Sequence, residues 1–295
     1  MSDKPTPLAG DYFAIPGWSV VALRGADAVA FAQAQFMSDV APLAAGHWQW
    51  SGWLTPKGRV IALFALLRLD EASLLLVLAD ADPGDFVAAL SRFVLRSKLK
   101  ITHEAAAHVA GAFRAPDAAR GAVVAGADAD SGLEFDFTAA GGARTLRIDR
   151  KAPVQDRESA ARWRTCDLAH GLPRLDPVQL GQWTPQQLSL DRLRAYSVKK
   201  GCYPGQEIVA RTHFLGQAKR GLVRLKGAAV GGLDEVMAGQ LPTGSGVASV
   251  RPIGQIICAS GDEALAVMPL DAGDGPFSSD GQPCERLPLL DGLAR

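Results

Sequence analysis

This 295-residue chain has no Cys-x-x-Cys pair: its four cysteines lie at positions 166, 202, 258 and 284. That spacing offers no zinc-ribbon or ferredoxin-type motif, and no metal site is expected. Charge of either sign is not in excess, since 31 Lys and Arg balance 31 Asp and Glu, and a neutral chain creates no overall field toward nucleic acid or an anionic membrane. Long apolar runs are missing too. The longest, Val60 to Leu67, stops at Arg68, far short of the roughly 20 residues that span a bilayer. The five histidines at 47, 103, 108, 170 and 213 are dispersed, and no Walker-type glycine loop, His-Glu-x-x-His or Gly-x-Ser-x-Gly is present. Met1 to Pro7 carry Asp3 and Lys4 and lack the apolar core of a secretory leader. The expectation is a cytoplasmic protein with free thiols, no membrane contact and no direct nucleic-acid partner.

With 48% hydrophobic and 21% charged residues, the composition is that of an ordinary globular protein, and the length exceeds one hydrophobic core. Trp18 to Leu23 reads as a strand and Ala26 to Phe36 as a helix with apolar residues at three- and four-residue spacing. Trp48 to Leu54, Val60 to Leu69 and Leu74 to Leu78 read as strands, the last two apolar enough to be buried on both faces. Asp82 and Pro83 open a second helix as cap and first residue. Leu133 to Phe137 and Arg144 to Ile148 flank Ala-Ala-Gly-Gly as a hairpin. Thr184-Pro185-Gln186-Gln187 matches a capping box and predicts a helix, and another is expected after Gly205. Beyond Gly221 the short apolar runs Leu222 to Leu225, Val247 to Val250, Ile253 to Cys258 and Ala264 to Met268 predict a small antiparallel barrel or sandwich, with Gly244-Ser245-Gly246 as a turn.

The chemistry concentrates in Lys199-Lys200-Gly201-Cys202-Tyr203-Pro204-Gly205-Gln206-Glu207. Two lysines and a helix start beside one cysteine favour a thiolate, the form that attacks electrophiles or binds metal. In this reading Cys202 reacts, Lys199 and Lys200 favour its charged form and bind anions, Gly201 and Gly205 permit the turn, and Glu207 caps the helix or bonds across the turn. Between Arg192 and Lys226 stand nine Lys or Arg against Glu207 alone, a local cationic zone suited to an anionic ligand. The bland alternatives are a solvated face and a turn whose cysteine merely packs. The other three cysteines are expected to pack, as are Trp48, Trp50 and Trp53.

This motif, continued by Val209-Ala210-Arg211, resembles the signature of the YgfZ-type folate-binding proteins of iron–sulfur cluster assembly, which are related in fold to the T-protein (aminomethyltransferase) of glycine cleavage. Gly25-Ala26-Asp27, Ser38-Asp39-Val40, Lys57-Gly58 and Gly171-Leu172-Pro173 fall in the corresponding order, so the resemblance spans most of the chain. It implies an α+β, T-protein-like fold: a folate-binding region of two interleaved α+β lobes over residues 1–220 and a C-terminal antiparallel β-barrel over 221–295. It further implies tetrahydrofolate or a folate derivative as ligand, with Trp18, Trp163, Lys200, Gly201, Tyr203, Gly205, Gln206 and Arg211 around it. Partners would be iron–sulfur enzymes or cluster-assembly proteins, and tRNA modification would depend on the protein indirectly. A monomer is the default.

Two departures bear on catalysis. The T-proteins carry an acidic pair after a Gly-Gly turn, where this chain has Gly58-Arg59-Val60-Ile61-Ala62-Leu63, and they have Glu-Ala-Gly where it has Ala169-His170-Gly171. Loss of a positioned carboxylate removes about a hundredfold or more of rate, so an aminomethyltransferase is not expected. A different transferase-like activity through Cys202 and a non-catalytic folate-sensing scaffold stay open as alternatives. His170 is expected to be structural.

Overall fold

The computed structural model describes residues 12–79, 81–128, 130–216, 218–227, 234–239 and 250–295. The first part of the chain runs β1 (Phe13–Ala14), β2 (Ser19–Arg24), α1 (Ala28–Gln35), β3 (His47–Leu54), β4 (Val60–Arg68), β5 (Ser73–Leu78), α2 (Pro83–Ser91) and β6 (Lys100–His103). β7 (His108–Ala112), β8 (Leu133–Asp136), β9 (Thr145–Asp149), α3 (Arg157–Ala169) and α4 (Gln206–Leu215) follow. The last part holds β10 (Arg220–Lys226), β11 (Glu235–Ala238), β12 (Arg251–Ser260), β13 (Glu263–Pro269), β14 (Phe277–Ser279) and β15 (Gln282–Leu287).

A five-stranded sheet ordered β3-β4-β5-β2-β6 and a four-stranded sheet ordered β1-β7-β9-β8 form the first two lobes, and β10-β13-β12-β11-β14-β15 close into a barrel. β1 precedes the first sheet in sequence but pairs with β7 in the second. Alternation along β4 shows why the first sheet reads as continuously apolar. Val60, Leu63, Ala65 and Leu67 join the central core, which also receives barrel residues, whereas Ala62, Phe64 and Leu66 join a second core with Phe31 and Phe86. Both faces are covered, so both must be apolar. Asp82 caps α2 as its chemistry predicts, its Oδ1 accepting the Asp85 N–H at 2.9 Å.

The helix predicted from Thr184 does not form. Its capping-box bonds are present, with Thr184 Oγ1 accepting from the Gln187 N–H at 3.2 Å and Gln187 Oε1 from the Thr184 N–H at 3.0 Å. The chain nevertheless runs through successive turns, because Ser189 (φ 49°) and Arg194 (φ 55°) adopt left-handed conformations that no right-handed helix continues through. The barrel's last strand ends at Leu287, and the residues after it return to the lobes: the Leu290 N–H donates to Ala169 O, and the Trp50 indole N–H to Leu293 O. The predicted turn at Gly244-Ser245-Gly246 and, of the apolar run after it, Val247 to Ser249 lie outside the described residues.

Candidate functional site

Two turns meet at the motif. Gly205 caps α4 in the left-handed region (φ 80°), and a Cβ added there would lie 2.5 Å from Gly58 Cα and 2.7 Å from Thr55 O. Contacts that short do not occur between real atoms, so only glycine lets the α4 cap press against the β3–β4 turn. Gly201 differs: it has no positive φ, and a Cβ there would meet nothing within 4 Å. Of the two glycines expected to permit the turn, Gly205 has the conformation and close approach that require a glycine and Gly201 does not.

Cys202 and Lys199 are exposed on this turn. Lys200 points the other way. It is 7% exposed, and its Nζ donates to Phe36 O at 2.6 Å and Ser38 O at 2.8 Å while lying 4.9 Å from the centre of the Tyr203 ring. The expected roles of Lys200 as an anion ligand and a cation serving Cys202 are therefore corrected: two carbonyl groups engage its ammonium and tie the motif to the segment after α1. Burial pushes Lys200 down to about 8, with the Asp39 carboxylate opposing the shift.

A pKa depressed from 10.5 to about 8 means that the unfolded chain binds more protons between those values, so stability rises with pH across that window. Urea unfolding is expected to show the gain, up to about 3 kcal/mol, in the wild type and not in Lys200→Met. Equal pH slopes in the two proteins would remove Lys200 as its source.

The remaining motif side chains build the turn. Tyr203 is buried and its hydroxyl donates to Ser197 O at 2.9 Å, and Gln206 Nε2 donates to Lys200 O at 2.9 Å. Glu207 is paired one helical turn along with Arg211 at 2.8 Å, both exposed, and does not bond across the turn. The ring-contact role expected of Trp163 is corrected as well. It is fully buried against Phe13, Phe113, Phe137, the Gly111 backbone and the Arg144 guanidinium, which lies 4.7 Å from its ring, so no face is open to a ligand. Trp18 is 8% exposed beneath Arg174, whose guanidinium lies 5.3 Å from the ring. Trp48, Trp50 and Trp53 are core residues, and Trp48 stacks on Phe137 at 5.2 Å, joining the two sheets.

His170 is structural. Nδ1 lies 2.7 Å from Cys166 O and Nε2 accepts the Gly141 N–H at 3.3 Å, which makes the ring a neutral Nδ1–H tautomer, and burial lowers its pKa. Cys258 and Cys284 are buried and Cys166 is half-buried, burial raising the thiols of Cys166 and Cys284. Of the four thiols only that of Cys202 is exposed.

Away from the motif, a cleft of about 740 Å³ opens where the end of β5, the segment after α3 and barrel strand β12 converge. Pro16, Ala79 and Ile257 give it apolar walls, and Arg164, Arg174, Asp82 and Asp176 also line it. Both acids accept backbone N–H groups as helix caps. Arg174 also lies 3.8 Å from the buried Asp167, which pairs with Arg144 at 2.8 Å. Sequence reasoning missed these arginines, because no spacing links residues 164 and 174 to Ala79 or Ile257. Among the described residues no group of His, Cys, Asp and Glu is arranged to hold a metal, and no helix is long and apolar enough to cross a membrane.

No protein-family model matches the chain. Among curated proteins it is 30% identical over 233 residues to the tRNA-modifying protein YgfZ of Serratia proteamaculans (strain 568), covering 72% of this chain and 69% of that protein. The protein of the same name from Klebsiella pneumoniae (strain 342) is 28% identical over 235 residues, covering 72% and 70%. Among solved structures, the glycine cleavage system aminomethyltransferase T from Bartonella henselae superposes with a TM-score of 0.68 over 94% of this chain and 84% of that one. At 14% identity that likeness is one of fold.

Proposed function

The chain belongs to the YgfZ family, and from that premise we propose that it acts in tRNA modification as a folate-binding accessory protein of iron–sulfur cluster assembly or repair, serving the cluster enzymes that modify tRNA. The observation that carries the reading is the exposed Cys202 thiol on a turn fixed by Gly205, Lys200 and Tyr203. A small-molecule enzyme excludes water from its reacting group. A thiol held outward on a rigid turn instead suits transfer to or from another protein.

The cleft fits a folate better than the tryptophan pair does. Its apolar walls suit a flat heterocycle and its two arginines suit the carboxylates of a glutamate tail. When bound, a reduced folate would supply one-carbon chemistry. Arg164 and Arg174 would hold its tail, and Trp163 would support the site from within the core. The one-carbon transferase alternative gains nothing from the β3–β4 turn, where Arg59 donates to Gln182 O and Gln187 Oε1 and no carboxylate stands from Gly58 to Leu63.

Rescue of a strain lacking its own homologue, read as the activity of a cluster-dependent tRNA methylthiolase, tests the accessory role. Titration with 5-formyltetrahydrofolate, followed by tryptophan fluorescence, tests the ligand, and Arg164→Glu is expected to weaken binding about tenfold. Absence of binding by the wild type would remove folate from the proposal. Net turnover of a methylene-bearing folate would move the protein to the transferases.

A further inference from the structure

β6 stands at the margin of the five-stranded sheet, where it pairs with β2 alone. One residue past the strand, the Glu104 N–H bonds Val20 O. By the alternation of an antiparallel ladder, Glu104, Thr102 and Lys100 therefore exchange bonds with β2, while Ile101 and His103 turn their N–H and C=O groups outward. Among the described residues no backbone group receives them. Alternate residues of a strand lie about 6.8 Å apart, the repeat at which an added strand offers its own bonds.

The chain that leads into this edge is basic. From Phe86 to His103 there is no acid, and Arg92, Arg96, Lys98 and Lys100 are all exposed. Among the described residues none of the four enters an ion pair or a side-chain hydrogen bond. Acids on the adjoining segments are engaged, Glu104 with Arg24 at 2.6 Å and Asp27 with the Lys98 N–H at 2.6 Å. Asp82 and Asp85 lie at the other, N-terminal end of α2. Between the cations, Phe93 and Leu95 are 47% and 87% exposed.

We propose that β6 is a docking edge for an extended, acidic segment of another protein, which adds to the sheet as a further strand. Its backbone would bond Ile101 and His103, its carboxylates would meet Arg92, Arg96, Lys98 and Lys100, and its apolar side chains would cover Phe93 and Leu95. Lysines on a sheet edge repel the neutral and basic strands that would aggregate there, and the same charges select an acidic one. This inference depends on neither the thiol of Cys202 nor a folate.

Other occupants fit the edge less well. Single-stranded RNA stacks its bases on successive rings, whereas among the described residues Phe93 is the one exposed ring beside these cations, and it already meets Trp53 edge to face at 5.8 Å. An anionic membrane would set the open N–H and C=O groups of Ile101 and His103 against hydrocarbon. A second copy, paired two-fold through Ile101 and His103, would bring Lys100 opposite Glu104, which Arg24 already holds, and would double the basic charge.

The test adds fluorescein-labelled heptapeptides to the full chain and follows their anisotropy. A peptide alternating Glu and Val is expected to bind about tenfold more tightly than one alternating Gln and Val, and Arg96→Glu combined with Lys98→Glu, at an unchanged melting temperature, to remove that preference. Methylating alternate backbone nitrogens of the Glu-Val peptide is expected to weaken binding about tenfold in the phase that faces β6 and not in the other. In the complex the Ile101 and His103 amides gain protection from hydrogen exchange, while those of Thr102 and Glu104, bonded to β2 throughout, do not change. Equal binding of both methylated forms and the parent, or no binding of the parent up to about 1 mM, would overturn the proposal. So would tighter binding of a uridine oligonucleotide or of phosphatidylglycerol vesicles at the same edge, or a dimer that protects Ile101 and His103 without peptide.

Discussion

Cys202→Ser is expected to abolish rescue of the cluster-dependent tRNA methylthiolase while leaving thermal unfolding unchanged. Cys202 is exposed, so the exchange of sulfur for oxygen falls in the range of about ±0.5 kcal/mol typical of surface positions. The turn is held by other groups. Lys200 bonds Phe36 O and Ser38 O, Tyr203 bonds Ser197 O, and Gln206 bonds Lys200 O. Serine keeps that frame and a similar volume, but its hydroxyl has neither the acidity nor the nucleophilicity of a thiol. A loss of rescue of about a hundredfold with an unchanged melting curve would thus locate the chemistry at sulfur. Full rescue by the serine variant would reduce the motif to a structural turn and favour a folate-binding scaffold.

The second large effect is on stability. Gly205→Ala is expected to destabilise the protein by about 3 kcal/mol or more, where Gly201→Ala changes it by less than about 0.5 kcal/mol. Two terms add at Gly205: the left-handed conformation costs an alanine about 1–2 kcal/mol, and a Cβ 2.5 Å from Gly58 Cα forces two backbones apart. The neighbouring atoms are backbone, so they cannot rotate away as a side chain would. For a chain of this size the shift in melting temperature is about 8 °C. Differential scanning fluorimetry of the two variants checks the contrast, and a melting temperature for Gly205→Ala within a degree of wild type would show that the two turns are not in contact.

The local rules were legible where neighbours in sequence decide the outcome. Asp82 and Pro83 start α2, the runs from Val60 and Leu74 form strands buried on both sides, and Gly205 opens α4, as their patterns predict. The misses share one cause. Lys199 and Lys200 are equivalent in sequence, yet one faces water and the other meets Phe36 O and Ser38 O, more than 160 residues away. Trp163 looked like a ligand platform, but Gly111 leaves the space that its ring fills from within the core. The Thr184 capping box formed its bonds and no helix, because the left-handed Ser189 and Arg194 redirect the chain.

Resemblance carried by the motif from Lys199 to Arg211 pointed to the family and to an α+β fold with a terminal barrel, while the apolar runs beyond Gly221 predicted an antiparallel barrel or sandwich and two neighbouring lysines marked Cys202 as the reactive candidate. These are properties of residue type and short spacing, which propensity and turn chemistry fix locally. Tertiary structure alone decided which lysine is buried, which glycine is indispensable, that Arg164 and Arg174 share a cleft, and that Phe93 and Leu95 stay in the open. Each depends on contacts between segments far apart in the chain, where direction and burial are set by how the sheets and barrel pack and not by the neighbours in sequence.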